Sequence, residues 1–129
     1  MLYPRPAAMR ILVIEDNAEI ALLLRRVLAS HDYIVDVADD LSGLEASREH
    51  LPHLIILDLL MPAMSGDEAV QHLRRMPETS DIPVVLMSAA DDLPRRAATL
   101  KEPHYLSKPF DLDELLRIVR QALDTTKRA

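Results

Sequence analysis

Four short apolar runs in this 129-residue chain end in groups that can do chemistry. Ile11-Leu12-Val13-Ile14 runs into Glu15 and Asp16, and Leu54-Ile55-Ile56-Leu57 runs into Asp58. Pro83-Val84-Val85-Leu86-Met87 ends in Ser88, and Tyr105-Leu106-Ser107 ends in Lys108-Pro109. Apolar runs of this length, bounded by polar residues, read as buried strands. In a parallel α/β sheet, ligands and chemistry collect just beyond the carboxyl ends of the strands. If these strands are parallel neighbours, three carboxylates, a hydroxyl and an ammonium converge on one edge.

Three crowded carboxylates repel. At 4 Å, each like-charge pair costs about 4 kcal/mol at an effective dielectric of 20. Such a cluster calls for a cation, and oxygen-only ligands favour Mg²⁺ over Zn²⁺. Mg²⁺ keeps some of its waters and accepts phosphate oxygens. Lys108 supplies a positive charge opposite the carboxylates, and the Lys108-Pro109 junction is a candidate cis peptide. The Ser88 hydroxyl can hydrogen-bond a phosphoryl oxygen.

The elements that must position these groups follow from patterning. Strands are expected over about Arg10–Ile14, Tyr33–Ala38, His53–Asp58, Ile82–Ser88 and His104–Ser107. The first helix follows Asn17, a suitable N-cap. Its Ile20, Leu23, Leu24, Val27 and Leu28 repeat at the spacing of one helix face, with Leu22, Arg25 and Arg26 off that face. Capping boxes at Ser42/Glu45 and Ser65/Glu68 predict the starts of the second and third helices, the third running to about Met76. Pro94 and the short Arg95–Leu100 stretch leave little room for a fourth helix, which Asp92 could cap. The fifth runs from Asp111, with Glu114 three residues on, to about Asp124. Alternating strands and helices imply right-handed crossovers and a single doubly wound sheet covered on both faces. The third and fourth strands are nearly all apolar, as doubly covered central strands should be.

At this point the chain resembles the receiver domain of two-component response regulators. The pieces that carry the resemblance are Ile11-Leu12-Val13-Ile14-Glu15-Asp16-Asn17, Leu57-Asp58-Leu59-Leu60-Met61-Pro62 with Ser65-Gly66, Ile82-Pro83-Val84-Val85-Leu86-Met87-Ser88-Ala89, and Tyr105-Leu106-Ser107-Lys108-Pro109-Phe110. They stand in the family's order. The resemblance implies a flavodoxin-like (βα)5 fold with strand order 2-1-3-4-5. It makes Asp58 the phosphoacceptor, and it makes Glu15, Asp16, Asp58 and the Leu60 backbone carbonyl the Mg²⁺ ligands. Lys108 becomes the phosphate-pairing lysine, Ser88 the switch hydroxyl and Tyr105 the switch aromatic. Leu60 and Ala90, each two residues past a site residue, border the path of attacking water and are expected to tune the lifetime of the aspartyl phosphate.

The resemblance also implies a phosphorylation-controlled switch rather than an enzyme, assisting only its own phosphorylation and dephosphorylation. The phosphoryl donor would be a histidine kinase or a histidine phosphotransfer protein, docking against the first helix near Leu22, and a downstream protein would read the output. The chain departs from the pattern at Lys101-Glu102, where the family usually has Gly-Ala, and at Pro103. The segment from Ser88 to Lys108 is also shorter than usual. These departures predict a conformational change concentrated between Ser88 and Tyr105. A degenerate receiver that binds partners without phosphorylation is the alternative. A haloacid-dehalogenase-type phosphatase is a remote one, since that class needs an Asp where Leu60 stands.

Bulk properties narrow the field further. The length suits one domain: a leader at 1–8, the receiver at 9–125 and a short tail at 126–129. Aromatic content of 3% makes the core aliphatic. A net charge of −6, with no basic block longer than a dipeptide, argues against direct nucleic-acid binding. There is no cysteine, so no thiolate metal site. No apolar run approaches a membrane span. The leader has no apolar h-region, so a cytoplasmic protein with a disordered extension is expected. The five histidines show no metal spacing, and none is expected to donate phosphate.

Overall fold

A computed structural model describes residues 8–46, 49–62 and 64–127. The leader lies outside the described residues except for Ala8, as does the extreme end of the tail.

Five parallel strands form one sheet: β1 (Arg10–Ile14), β2 (Ile34–Ala38), β3 (Leu54–Asp58), β4 (Val84–Ser88) and β5 (His104–Ser107). Their order is β2-β1-β3-β4-β5, with pairings that include Val13 beside Ile56, Leu57 beside Leu86 and Ser88 beside Ser107. The order reverses between β1 and β3, whose carboxyl ends carry Glu15 and Asp58. This is the flavodoxin-like doubly wound architecture, and such a reversal opens a crevice at the strand ends. β3 and β4 are buried along their whole length, which is why they read as unbroken apolar runs. β4 begins two residues later than patterning suggests. Pro83 has no N–H to pair, and Ile82 N–H is spent in a turn to Thr79 O.

The connecting helices are α1 (Ala18–Ala29), α2 (Ser42–Ala46), α3 (Gly66–Arg75), α4 (Leu93–Thr99) and α5 (Leu112–Lys127). One core packs Ile11, Val13, Ile56 and Val85 against Leu24 and Leu28 of α1 and Leu115 and Val119 of α5. The other packs Leu12, Ile14, Ile55, Leu57 and Leu86 against Leu44, Leu73, Leu93 and Ala97. Alternate residues of each strand thus serve opposite faces of the sheet.

Asn17 caps α1, its side chain accepting from the N–H groups of Glu19 and Ile20, and Asp111 caps α5 through the N–H of Glu114. α5 continues to Lys127, past the expected end near Asp124. The Ser65/Glu68 box does not form as read, and the start of α2 differs from expectation. Ser42 is the first residue of α2, and its N–H and hydroxyl both donate to Asp40, which takes the capping role. Ser65 occupies the N-cap position of α3 without a side-chain cap bond. It pairs instead with Leu60 in a small antiparallel ladder, Leu60–Met61 against Met64–Ser65. The chain then enters α3 through Gly66, where a Cβ would stand 2.8 Å from Leu59 Cα. Only glycine permits that approach.

α4 is a true helix of seven residues, with Pro94 in its first turn, where a missing N–H costs nothing. Asp92 precedes it but makes no side-chain cap bond. Leu23 also departs from expectation. Ala21, Leu24 and Leu28 turn inward, and Leu23 is left 45% exposed beside the exposed Leu22.

Candidate functional site

The geometry of the site follows from where strands stop. β1 ends at Ile14, and the N–H of Glu15 still reaches across to Ala38 O at 3.0 Å. Asn17 then starts α1, so Glu15 and Asp16 are confined to a two-residue turn. Glu15 faces inward and is buried, and Asp16 is exposed. Asp58 is the last residue of β3 and is also buried. Ser88 closes β4, fully buried, its Oγ accepting from Ala90 N–H at 3.0 Å. Lys108 follows β5, its N–H donating to Ser88 O at 2.8 Å, and the Lys108-Pro109 peptide is cis.

The Lys108 ammonium lies between the two buried acids. Nζ donates to Glu15 Oε1 at 2.6 Å and to Asp58 Oδ2 at 3.1 Å. The other Asp58 oxygen, Oδ1, accepts from Leu60 N–H at 3.0 Å. Tyr105 lies on β5, level with Leu86, and its side chain is exposed. Leu60 is 55% exposed beside Asp58, and Ala90 is half-buried beside Ser88.

Electrostatics separates the two buried acids. Burial pushes the Glu15 carboxyl up to about 7, and the neighbouring Asp58 carboxylate adds to the rise against the pull of Lys108. Burial pushes Asp58 the same way, but the Glu15 carboxyl beside it, the Leu60 N–H and the Lys108 ammonium outweigh it and hold Asp58 below its usual range. Burial would lower Lys108, yet its bonds to Glu15 and Asp58 raise it. Asp58 therefore stays ionised while Glu15 retains a proton near neutrality.

Glu15, Asp16 and Asp58 each offer a carboxylate oxygen, and these oxygens lie within 4.8 Å of one another. Glu15 Oε2 is buried without a hydrogen-bond partner. An unpartnered carboxyl oxygen in an all-oxygen cluster fits a hard divalent cation of the Mg²⁺ type, which would take the place of the Glu15 proton.

Some features were not legible from patterning. Ile20, Leu23, Ala89, Pro109 and Phe110 line an apolar recess next to Lys108. Glu102 is buried and pairs with Arg74. Lys101 adopts φ 59°, a left-handed conformation that usually falls to glycine. The unusual Lys101-Glu102 pair was visible in the sequence; its partner on α3 was not.

Residues 11–120 match the response regulator receiver domain family, and the chain belongs to it. It is 37% identical over 122 residues to hybrid signal transduction histidine kinase D of Dictyostelium discoideum, covering 92% of this chain and 8% of that protein. It is 36% identical to response regulator MprA of Mycobacterium leprae, covering 92% of this chain and 53% of that protein. The chain thus spans about half, or far less, of these relatives. A solved putative response regulator from Chloroflexus aurantiacus superposes with a TM-score of 0.82 at 28% identity, covering 91% of this chain and 98% of that one. Receiver domains are signalling switches that act with histidine kinases. No helix among the described residues is long and apolar enough to cross a membrane.

Proposed function

We propose that this domain is a cytoplasmic switch that accepts a phosphoryl group on Asp58 from a phosphohistidine of a histidine kinase or phosphotransfer protein. The observation that carries the reading is the Lys108 ammonium held between buried Glu15 and Asp58. A carboxylate oxygen of Asp58 attacks phosphorus, an O–P bond forms, and the N–P bond of the donor histidine breaks. Asp58 is suited to this because it stays ionised. Lys108 can leave Asp58 to pair with a phosphoryl oxygen without giving up Glu15. The Ser88 hydroxyl accepts from Ala90 N–H and still has its own hydrogen to donate to the phosphoryl group.

Glu15, Asp16, Asp58 and the Leu60 carbonyl would hold Mg²⁺. When bound, the ion neutralises charge on the transferring group. Tyr105, exposed on β5, is free to turn inward once Ser88 is engaged, which would alter the surface read by a downstream protein. The side chains of Leu60 and Ala90 offer no group that could orient water, which would protect the phosphoryl group from hydrolysis.

Incubation with Mg²⁺ and acetyl phosphate, followed by intact mass measurement, tests the reading. One added phosphoryl group, absent in Asp58→Asn, is expected. No gain in mass would instead favour a binding module that works without phosphorylation.

A further inference from the structure

Two ion pairs tie the two ends of α3 to the segment that runs from α4 into β5. Near the start of α3, Asp67 Oδ1 accepts from Arg96 Nη2 of α4 at 2.6 Å. Near its end, Arg74 forks the Glu102 carboxylate, Nε to Oε2 at 2.9 Å and Nη2 to Oε1 at 2.7 Å.

The two ties are unequal. The Glu102 side chain is 4% exposed, and Arg74 Nη1 also donates to Ser80 O at 3.0 Å and Ile82 O at 2.7 Å. A forked, charge-assisted pair with further backbone acceptors is rigid and directional. The Asp67 side chain is 48% exposed, so water competes for the pair with Arg96.

Their positions are also unequal. Asp67 follows Gly66, which presses on Leu59, the residue next to Asp58. Arg96 shares a recess with Leu59, Leu60, Met61 and Gly66. A change of position or charge in the loop after Asp58 therefore bears directly on Asp67–Arg96. The Arg74–Glu102 pair sits where β5 begins, at the opposite end of the strands from Asp58. Along its whole length α4 buries only Leu93 and Ala97. So few apolar anchors leave a helix dependent on its polar ties for orientation.

We propose that α4 works as a lever, with Arg74–Glu102 as its fixed pivot and Asp67–Arg96 as a latch released when Asp58 is modified. The proposal rests on the phosphoacceptor reading above. A phosphoryl group adds one to two negative charges and strong acceptor oxygens next to the loop that leads to Asp67. The weak, half-exposed pair yields and the buried pair holds. The start of α4 then moves and its end stays. Arg96 and Asp67 act here as positioning residues, without touching the reacting atoms.

Hydrogen exchange of the full chain in Mg²⁺, with and without beryllofluoride as a phosphoryl mimic, tests the lever. In the wild type, beryllofluoride should speed exchange across 89–96 and leave 100–104 unchanged. Arg96→Gln removes a part-exposed charge and should fold normally. Its 89–96 segment should exchange at the released rate before any beryllofluoride is added, and its further response should be lost. Arg96→Lys should restore the wild-type pattern.

Equal responses at 89–96 and 100–104, or wild-type exchange in ligand-free Arg96→Gln, would overturn the lever. If beryllofluoride changes nothing in the wild type, including residues 58–66, the phosphoacceptor reading fails instead. The latch is then decided by the ligand-free comparison of wild type, Arg96→Gln and Arg96→Lys: fast exchange in Arg96→Gln alone supports it, and equal exchange overturns it.

Discussion

Arg74 and Glu102, separated by 28 residues, meet as a forked ion pair that joins the end of α3 to the start of β5. Glu102 stands where the family resemblance implies a small residue. A carboxylate is tolerated there because the guanidinium reaches both of its oxygens and uses its remaining nitrogen on backbone carbonyls.

The two halves of this pair should differ in what their loss costs. Arg74→Met strands a buried carboxylate and should destabilise the fold by about 3 kcal/mol. Glu102→Ala leaves an Arg74 side chain that is already 30% exposed and can rehydrate, so about 1 kcal/mol is expected. Replacing both with Met should recover most of the larger loss. Urea denaturation of the four proteins measures this. Equal losses in the two single variants would show that the carboxylate is not stranded.

The proton on Glu15 should leave a signature in stability. The group titrates at 4.5 in its ordinary state and at about 7 in the fold, so the folded state binds the proton more tightly. Its contribution is full below about 4.5 and is lost as pH rises through about 7. Asp58 runs the other way: its contribution is present above its ordinary 3.8 and is lost as pH falls through its lowered folded value. Between about 4.5 and 7, Glu15 sets the slope, and the Tm of the metal-free protein should fall as pH rises. Saturating Mg²⁺ takes the place of the proton and should flatten or reverse that fall. The same competition predicts that Mg²⁺ affinity weakens as pH drops below about 7. A metal-free Tm that does not change across this window would contradict the assignment.

The aspartyl phosphate should be long-lived. Leu60 stands exposed beside Asp58 and Ala90 beside Ser88, and neither can hydrogen-bond water through its side chain. Leu60→Asn and Ala90→Glu should each speed decay, and the double variant should decay faster still, by a factor of about 10 or more. Decay would be followed in saturating Mg²⁺ after removal of the phosphodonor. Identical rates in all four proteins would leave decay to the backbone and the cation.

The phosphodonor protein should press on Leu23 more than on Leu22. Both are exposed, but Leu23 lines the apolar recess beside Lys108 and Pro109, and Leu22 does not. Leu23→Asp should slow transfer from the cognate phosphodonor protein about tenfold, the scale of losing one buried apolar contact of about 1.4 kcal/mol. Phosphorylation by acetyl phosphate should be unchanged. Equal slowing by Leu22→Asp would move the contact to the outer face of α1.

By itself, the sequence determined where the strands lie and which chemical groups end them. Leu54–Asp58 and Ile11–Asp16 are legible because burial on both faces demands continuous apolar runs, and because polar residues cannot extend them inward. Asn17 and Asp111 could be read as caps because capping bonds span only two or three residues. Ser42 and Ser65 carry the same local signal. Tertiary structure overrode it, giving Asp40 the cap of α2 and placing Ser65 opposite Leu60. Only the folded sheet decided that Lys108 would bond both Glu15 and Asp58, which lie 93 and 50 residues away along the chain. Only packing decided that Leu23 would face outward and that Glu102 would find Arg74. Periodicity and capping are written between near neighbours. Partnerships across the fold depend on strand register and helix placement, which the whole chain sets at once.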